Sequence, residues 1–254
     1  MDLIGRSAPG LSDEAGAFFE TICRPLGGLV EAVRTGNTAF DRVFGCTFYE
    51  YLAHNPDVGG FFNDQMVRNA PLRYAGISSV FDFQGVSRIV DVGGGQDGLI
   101  VRLLTDQPHL TAAIVDLPEV IEGARQRISE AGLSKRCEFV PANFLDYVPG
   151  GGDVYVLAFV VNNCRDQDAA RLLANCRAAM GAKSKLLILE SLREPGKTLS
   201  RWAALVELGI MAQRGGKSRT EGQLRRILRA AGLDVREIRR FPSSPRTVIE
   251  VAPI

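Results

Sequence analysis

The sequence is poor in the residues that build disulfide scaffolds and metal sites. Its 254 residues include five cysteines, an odd number without a CxxC pair, and two histidines. This favours reduced thiols in a cytoplasmic protein over a disulfide framework or a zinc site. No apolar run reaches the roughly 20 residues of a membrane-spanning helix. Residues 1–20 place acidic residues, glycine and proline too early for a signal peptide. We therefore expect neither a metal site nor a membrane segment.

An excess of charge of one sign is also absent. The chain carries 30 Lys and Arg against 29 Asp and Glu, so its formal net charge is +1. Such a balance produces no strong field that would attract nucleic acid or a membrane surface. The basic run over residues 225–240 is interpreted as a solvated helix face followed by a strand. We therefore expect a globular protein that binds neither nucleic acid nor a membrane.

The pattern of apolar residues changes near residue 86. Residues 1–85 have the apolar spacing of helices, interrupted near residues 25–28. From Ser87 onward, short apolar runs typical of buried strands alternate with amphipathic helices, beginning with RIVDV and GLIVRLLTD. This alternation predicts an α/β fold with a mostly parallel sheet covered on both faces. We predict a helical extension over residues 1–85 and an α/β domain over residues 86–254.

The last part of the chain is predicted to close the sheet. TEGQLRRILRAAG has the signals of a helix, with Thr220 as its N-terminal cap and Gly232 as its stop. VREIRRF and TVIEVAP follow as a pair of strands.

A glycine loop follows the first predicted strand. Gly93, Gly95 and Gly98 match GxGxxG at the start of a helix, and Asp116 ends the next strand. Ligands of open α/β sheets bind beyond the carboxyl ends of the strands, where a glycine backbone and an acid can hold a nucleoside. The alternative is a tight strand–helix turn, with an aspartate that starts the helix before Pro118. Both interpretations stay open at this point.

Several segments together resemble one family. IVDVGGG, VDLPEVIE, VYVLAFVVNN and GGKSRTEGQLRRILRAAGL are similar to the class I S-adenosylmethionine-dependent O-methyltransferases of natural-product pathways, from about Leu26 to the end. The resemblance implies a Rossmann-like sheet of seven strands with a reversed final strand, preceded by helices that roof a substrate cavity. It assigns cofactor contacts to Gly93, Gly95, Asp116 and Asn143. The family's N-terminal dimerisation domain is expected to be missing.

The sequence departs from that family at the predicted site. The family's histidine base is replaced by Asn162, and only the acid Glu190 is retained among three catalytic positions. The other replacements are Asn143 for the acid that contacts adenine, Asp97 for a loop glycine, Ala158 for a lysine, Cys164 for a tryptophan and Ser218 for an acid. An asparagine amide cannot remove a proton from a hydroxyl, and loss of a general base costs about 10²–10⁴-fold in rate. The cofactor is therefore left unassigned, with S-adenosylmethionine as an open option.

These departures predict a repurposed enzyme that no longer methylates. We expect it to bind a small-molecule intermediate of natural-product biosynthesis and to promote an intramolecular step, such as ring closure with loss of a leaving group. Its predicted catalytic residues are Asp97, Asn162 and Glu190. Its predicted substrate contacts are Phe159, Asn163, Cys164, Trp202, Met211 and Met66. Cys164 is either a reactive thiol or a packed one.

Three other functions stay open. The first is a true O-methyltransferase with an unusual base, and the second is a non-catalytic subunit that stabilises another enzyme. The third is a nicotinamide-dependent oxidoreductase, which only the GxGxxG pattern suggests. Without a dimerisation domain, apolar helices over residues 10–85 would be exposed. We therefore expect a second protein chain, or a second copy of this chain, to cover them.

Overall fold

The computed structural model describes residue 16 and residues 19–96, 98–241 and 246–254. Its contacts divide into two compact units. One unit comprises residues 1–65 and 198–217, and the other comprises residues 66–197 and 218–254. The boundary between residues 85 and 86 in the two-domain scheme stays a prediction.

In the described part of the chain, helices come first, and strands then alternate with helices from residue 88. A π-helical segment, Phe19–Cys23, precedes the α-helices. The α-helices are α1 Arg24–Leu26, α2 Leu29–Thr35, α3 Ala39–Phe44, α4 Phe48–His54, α5 Pro56–Arg73, α6 Ile77–Val80, α7 Leu99–Asp106, α8 Pro118–Glu130, α9 Asp166–Ala179, α10 Arg201–Arg214 and α11 Glu221–Ala230. The strands are β1 Arg88–Val92, β2 Thr111–Asp116, β3 Cys137–Pro141, β4 Val154–Ala158, β5 Lys185–Ser191, β6 Leu233–Arg240 and β7 Arg246–Pro253.

The first unit contains short helices with strong start and stop signals. Helix α1 ends at Leu26 and α2 begins at Leu29, which confirms the predicted interruption near residues 25–28. The hydroxyl of Thr47 caps α4 and forms a capping box with Glu50. In the same unit, the Arg214 guanidinium of α10 lies 4.4 Å from the ring centroid of Phe48 and 5.3 Å from that of Phe62. Cation–π contacts of this kind bind α10 to the aromatic side chains of α4 and α5.

The second unit contains one sheet of seven strands in the order β3-β2-β1-β4-β5-β7-β6. Strands β1 to β5 pair in parallel, whereas β7 runs antiparallel to both β5 and β6. The predicted α/β class and the reversed final strand are therefore confirmed. Apolar side chains pack on both faces of the sheet, one against α7 and α8 and the other against α9 and α11. Burial on both faces explains why the strands are almost uniformly apolar.

The predicted closing helix is also confirmed. The Thr220 hydroxyl accepts the backbone N–H of Gln223, and the Gln223 side chain returns the bond to the Thr220 backbone. Gly232, with φ 73°, follows the last turn of α11 in the left-handed conformation that favours glycine. Within the described ranges, no helix is both long and apolar enough to cross a lipid bilayer.

Candidate functional site

The glycine turn and Asp116 meet where β1 and β2 end. The Asp116 carboxylate accepts the backbone N–H of Gly95 at 2.8 Å through Oδ2 and that of Leu117 at 2.8 Å through Oδ1. Strands β1 and β2 pair directly, with Val92 opposite Val115, so both groups reach the same edge of the sheet. The carboxylate therefore fixes the turn and stays half-buried at the edge where ligands of such sheets bind.

Two positions in this turn accept only glycine, for two reasons. A Cβ atom on Gly94 would lie 2.8 Å from Oδ2 of the buried Asp91. Gly93 has φ 72°, and a Cβ there would lie 2.9 Å from Cγ2 of Val160. Gly94 allows the turn to pass over the buried Asp91. Gly93 allows it to pass close to Val160 in the segment that follows β4.

Asn143 follows β3 on the same edge. Its side-chain Oδ1 accepts the backbone N–H of Leu145 at 2.9 Å, and the residue is exposed. A second amide, Gln96, extends from the glycine turn to α8, where its side chain covers Gly123 and its Nε2 lies 3.4 Å from the Val120 carbonyl oxygen. Both amides therefore border the region beside Asp116.

The segment after β4 brings three predicted residues together. Phe159 has φ 58°, a left-handed conformation that is unfavourable for a bulky residue. Its carbonyl oxygen accepts Asn163 Nδ2 at 2.9 Å, which stabilises the turn. Asn162 donates its backbone N–H to Glu190 Oε1 at 3.0 Å. Among the described residues, Oδ1 of Asn162 is a buried acceptor without a hydrogen-bond partner.

Glu190 and Arg219 form hydrogen bonds to the backbone of the segment that follows β4. Glu190, at the end of β5, is 5% exposed. Arg219 is 4% exposed, and it donates from Nη1 to the Val161 carbonyl at 2.6 Å and from Nη2 to the Cys164 carbonyl at 2.9 Å. Its Nε and Nη2 also contact Asp166 Oδ1 at 3.0 and 2.8 Å. The planar guanidinium thus ties three groups of one turn together.

Burial keeps Glu190 in its protonated form over much of the neutral range. Burial raises the pKa of Glu190 to about 8, although the backbone N–H groups of Asn162 and Val161 and the charge of Arg219 oppose the change. At pH 7 the carboxyl is mostly neutral, and a protonated carboxyl cannot take a further proton. Its contacts therefore make it a positioning group for the turn that carries Asn162.

We expect the stability of the protein to fall as Glu190 ionises. The pKa of Glu190 is raised in the folded chain, so its contribution is fully present below about pH 4.5, the ordinary value, and is lost by about pH 8. The loss should be on the order of 1 kcal/mol per pH unit within that window. Glu190→Gln stays neutral and should remove this dependence in urea unfolding between pH 5 and 9. Glu122→Gln, at a side chain that is 83% exposed, is the matched control. A pH-independent difference between Glu190→Gln and the native chain would contradict the expectation.

Cys164 has the properties of a packed thiol. It is buried, and its Sγ lies 3.4 Å from the Val160 carbonyl oxygen. Burial raises its pKa to about 12, so the nucleophilic thiolate is scarce at neutral pH. Of the two sequence-based interpretations, the structure therefore favours packing over reactivity.

An aromatic and cationic cluster lies beside the same segment. The Arg73 guanidinium stands 5.0 Å from the ring centroid of Phe159, and the Tyr74 ring lies 6.5 Å from it. Both Nη atoms of Arg73 lie 3.5 Å from the Met66 sulfur. Met66, a predicted substrate contact, is therefore linked to Phe159 through Arg73.

Three further predicted residues are not among the described residues of the second unit. Asp97, the acid inside the glycine loop, lies outside the described residues. Trp202 and Met211 lie in α10 of the first unit, where Met211 is half-buried. No group of three or more His, Cys, Asp or Glu residues in the described part of the chain is arranged to hold a metal ion.

Sequence reasoning missed Gln96, Arg73 and Arg219. Gln96 was available as the polar residue inside the GGGQ turn. Arg219 follows Ser218 in GGKSRT, and the resemblance to the family pointed only to Ser218. Arg73 has no local signal, because only the folded chain brings α5 against the residue after β4.

The residues around Asp116 fit the nucleoside of S-adenosylmethionine. The Asp116 oxygens accept backbone N–H groups, and a carboxylate has about four acceptor sites in all, which suits it to ribose hydroxyls. The exposed Asn143 amide still offers its NH₂ donor toward a purine ring. The glycine turn leaves no side chain between its backbone and this edge at Gly93, Gly94 or Gly95.

Comparison with known proteins decides the family. The model of the O-methyltransferase domain matches residues 27–234. The chain belongs to the O-methyltransferase family. Phenazine O-methyltransferase PhzM of Lysobacter antibioticus is 30% identical over 234 residues, 91% of this chain and 67% of that protein. Aclacinomycin 10-hydroxylase RdmB of Streptomyces purpurascens is 31% identical over 207 residues, 81% of this chain and 55% of that protein.

A solved member of the family has the same fold. The structure of the O-methyltransferase NcsB1 from neocarzinostatin biosynthesis, in complex with S-adenosylmethionine and 2-hydroxy-5-methyl naphthoic acid, matches with a TM-score of 0.82 and 30% identity. The match covers 91% of this chain and 68% of NcsB1. Because the chain spans 55% to 67% of the two curated relatives, its full activity is a matter for proposal. The missing dimerisation domain likewise stays a prediction.

Proposed function

We propose that the chain is an S-adenosylmethionine-dependent methyltransferase that acts on a small aromatic intermediate of natural-product biosynthesis. The observation that carries the proposal is the Asp116 carboxylate, held by the Gly95 and Leu117 N–H groups at the ends of β1 and β2. Because the chain belongs to the O-methyltransferase family, we interpret this carboxylate as the acid that binds ribose hydroxyls in nucleotide-binding sheets. The relatives favour this function over the ring closure predicted from the departures.

Three groups would hold the nucleoside. Asp116 would accept the ribose hydroxyls, the Asn143 amide would offer hydrogen bonds to the purine, and the Gly93–Gly95 backbone would allow close approach. Bound S-adenosylmethionine supplies an electrophilic methyl group. The buried Oδ1 of Asn162 would accept a hydrogen bond from the O–H or N–H group of the substrate that is to be methylated. This contact would orient that group.

Proton removal is the step that distinguishes this site. Asn162 cannot act as a base, and Glu190 is mostly protonated at pH 7. We propose that this chain contributes orientation, and that the acceptor proton passes to solvent. Orientation of reacting groups is itself a large source of rate enhancement.

The proposed acceptor is aromatic. Its support is the pair of rings, Phe159 and Tyr74, at the carboxyl end of β4. The names of the relatives agree: PhzM is named for phenazine, and NcsB1 was solved with a naphthoic acid. The individual substrate is not assigned.

Calorimetric titration with S-adenosylhomocysteine tests the proposed function. We expect micromolar binding and, with S-adenosylmethionine, methylated product on an aromatic acceptor by mass spectrometry. Absence of both heat and thermal shift at millimolar ligand would overturn the proposal.

The second candidate is the non-methylating enzyme predicted from the sequence. Its support is Asn162 at the base position, together with a relative whose name is that of a hydroxylase. Turnover of an intermediate without S-adenosylmethionine, by ring closure or another step, would favour it. A chain that neither binds the cofactor nor turns over an intermediate would favour the non-catalytic subunit.

We propose that a second chain covers the apolar surface of α2. We also propose a cytoplasmic location, with which the five free thiols are consistent. Val30 and Val33 are each 67% exposed. We expect native mass spectrometry at micromolar concentration to show a homodimer or a complex with a copurified protein. Val30→Glu with Val33→Glu should release the single chain, whereas Arg34→Gln on the same helix should not. A stable monomer of the native chain would count against the proposal.

A further inference from the structure

The turn that follows β4 contains a hydrogen-bond acceptor without a donor. Residues 159–165 form this turn at the carboxyl edge of the sheet, where ligands of such folds bind. Within the part of the chain that the structure describes, Oδ1 of Asn162 is buried and receives no hydrogen bond. Buried acceptors of this kind are costly and few in native proteins, so each one calls for a physical explanation. A bound molecule that donates an N–H or O–H group to this oxygen would supply one.

The backbone holds Asn162 in place independently of its side chain. Its backbone N–H donates to Glu190 Oε1 at 3.0 Å. The carbonyl oxygen of the preceding residue, Val161, accepts Nη1 of the buried Arg219 at 2.6 Å. The side-chain amide is therefore carried by a fixed main chain, and a substitution that replaces the amide leaves these contacts in place.

The polar groups of this turn do not include a base for neutral pH. Burial raises the pKa of Glu190 to about 8 and the pKa of Cys164 to about 12, so both groups are mostly protonated at pH 7. Arg219 is a cation, and the Asn162 amide does not take up a proton. His109, the one histidine in the sequence of the second unit, precedes β2 and so lies at the other edge of the sheet. Among its described residues, the turn thus offers an acceptor but no general base.

These two properties distinguish three kinds of nucleophile. A neutral hydroxyl can donate to Oδ1, but methylation of its oxygen gives a strongly acidic oxonium ion, so its proton must leave during the transfer and a base is needed. An ionised hydroxyl needs no base, but it has no proton to donate, and its charge meets the lone pairs of Oδ1. A neutral amine donates one N–H to Oδ1 and attacks through the nitrogen lone pair. Only the amine both satisfies the acceptor and reacts without a base.

We propose that the substrate of this chain is an aromatic amine that is methylated at nitrogen, and that Oδ1 of Asn162 binds one of its N–H groups. The nitrogen lone pair forms the new C–N bond, and the electron pair of the breaking S–CH₃ bond stays on sulfur. The positive charge of the sulfonium thereby passes to nitrogen, and the resulting N-methylanilinium ion loses one proton to water. The inference rests on the proposed function and names the class of its substrate.

Matched pairs of probes test this inference on the native chain. Each pair shares one ring system and differs only in the nucleophile: 3-amino-2-naphthoate with 3-hydroxy-2-naphthoate, and 2-aminophenazine with 2-hydroxyphenazine. Each probe is incubated with the chain and S-adenosylmethionine, and the product is measured by mass spectrometry before and after alkaline hydrolysis, which removes a methyl ester but not an N-methyl group. We expect kcat/KM for at least one amine to exceed that of its hydroxyl partner by about a hundredfold or more, because the hydroxyl lacks a general base.

Substitution of Asn162 tests the role of its side chain. Asn162→Leu removes the acceptor oxygen at similar size and should lower kcat/KM for the amine by about tenfold, the effect of one lost hydrogen bond. Asn162→Asp keeps an acceptor oxygen and should retain more of the activity than Asn162→Leu. Gln126→Leu, at an exposed amide of α8, is the matched control and should leave the activity unchanged. Thermal melting confirms that each variant is folded.

Three results would overturn the inference. They are methylation of the hydroxyl probes in preference to the amines, unchanged amine methylation in Asn162→Leu, and methylation of none of the probes by a chain that binds S-adenosylhomocysteine. In each of these cases calorimetric binding of S-adenosylhomocysteine keeps the proposed nucleoside site. Absence of that binding would instead defeat the proposed function, and the inference with it.

Discussion

Asp116→Asn is expected to reduce the affinity for S-adenosylhomocysteine by at least about a hundredfold. The substitution removes the charge that would receive two ribose hydroxyls, and hydrogen bonds to a charged group contribute about 1.5–3 kcal/mol each. It also presents an NH₂ group to one of the two backbone N–H donors, Gly95 or Leu117, which the carboxylate now satisfies. Calorimetric titration of the native and substituted chains measures the difference directly.

The matched control is Glu130→Gln. Glu130 is an exposed acid at the end of α8 that accepts a hydrogen bond from Gln126, which the amide can still accept. Glu130→Gln changes the net charge by the same amount as Asp116→Asn, but at a position away from the glycine turn. The affinity for S-adenosylhomocysteine should therefore be unchanged. If Asp116→Asn binds as tightly as the native chain, Asp116 is not the ribose ligand.

Arg219→Met should destabilise the second unit by about 3 kcal/mol. The substitution removes the guanidinium donor of the Cys164 carbonyl and leaves the Val161 carbonyl with only the backbone N–H of Cys164, and each lost hydrogen bond to a charged donor costs about 1.5–3 kcal/mol. The ion pair itself contributes less, because the Asp166 side chain is 55% exposed. Urea unfolding followed by circular dichroism measures the free energy of unfolding.

Arg171→Met is the comparison for this substitution. Arg171 pairs with Asp146 at 2.6 Å, but the two side chains are 59% and 64% exposed, so the cost should stay within about 1 kcal/mol. Arg219→Lys should lie between the two, since one ammonium cannot reproduce three directed contacts. Equal unfolding free energies for Arg219→Met and Arg171→Met would show that the buried fork contributes no special stability.

The fold was predictable because its signals are local or periodic. RIVDV and TAAIVD are strands by their apolar runs, and Thr220 and Gly232 mark the two ends of α11. The family resemblance supplied the reversed β7, which local pattern alone does not determine.

The candidate site was predictable only in part. The rule that ligands bind beyond strand ends selected Asp116, Asn162 and Glu190 at one edge of the sheet. It did not reveal that Glu190 accepts backbone N–H bonds from the turn, since that contact joins residues 28 positions apart. Arg73 and Arg219 were missed for the same reason, because their partners are distant in sequence.

The pairing of β7 with β5, which includes a hydrogen bond from Thr247 Oγ1 to the Glu190 carbonyl, joins parts of the chain that are made far apart in time. The two residues of that hydrogen bond are 57 positions apart, and Arg219 and Val161 are 58 positions apart. Strands β1 to β5 leave the ribosome first, and β5 then has an open edge until β7 pairs with it. A nascent chain that pauses after β5 therefore exposes an apolar strand edge beside a buried glutamate. Such an intermediate is prone to aggregate, so rapid completion of the segment from α11 to β7 protects the protein during its own production.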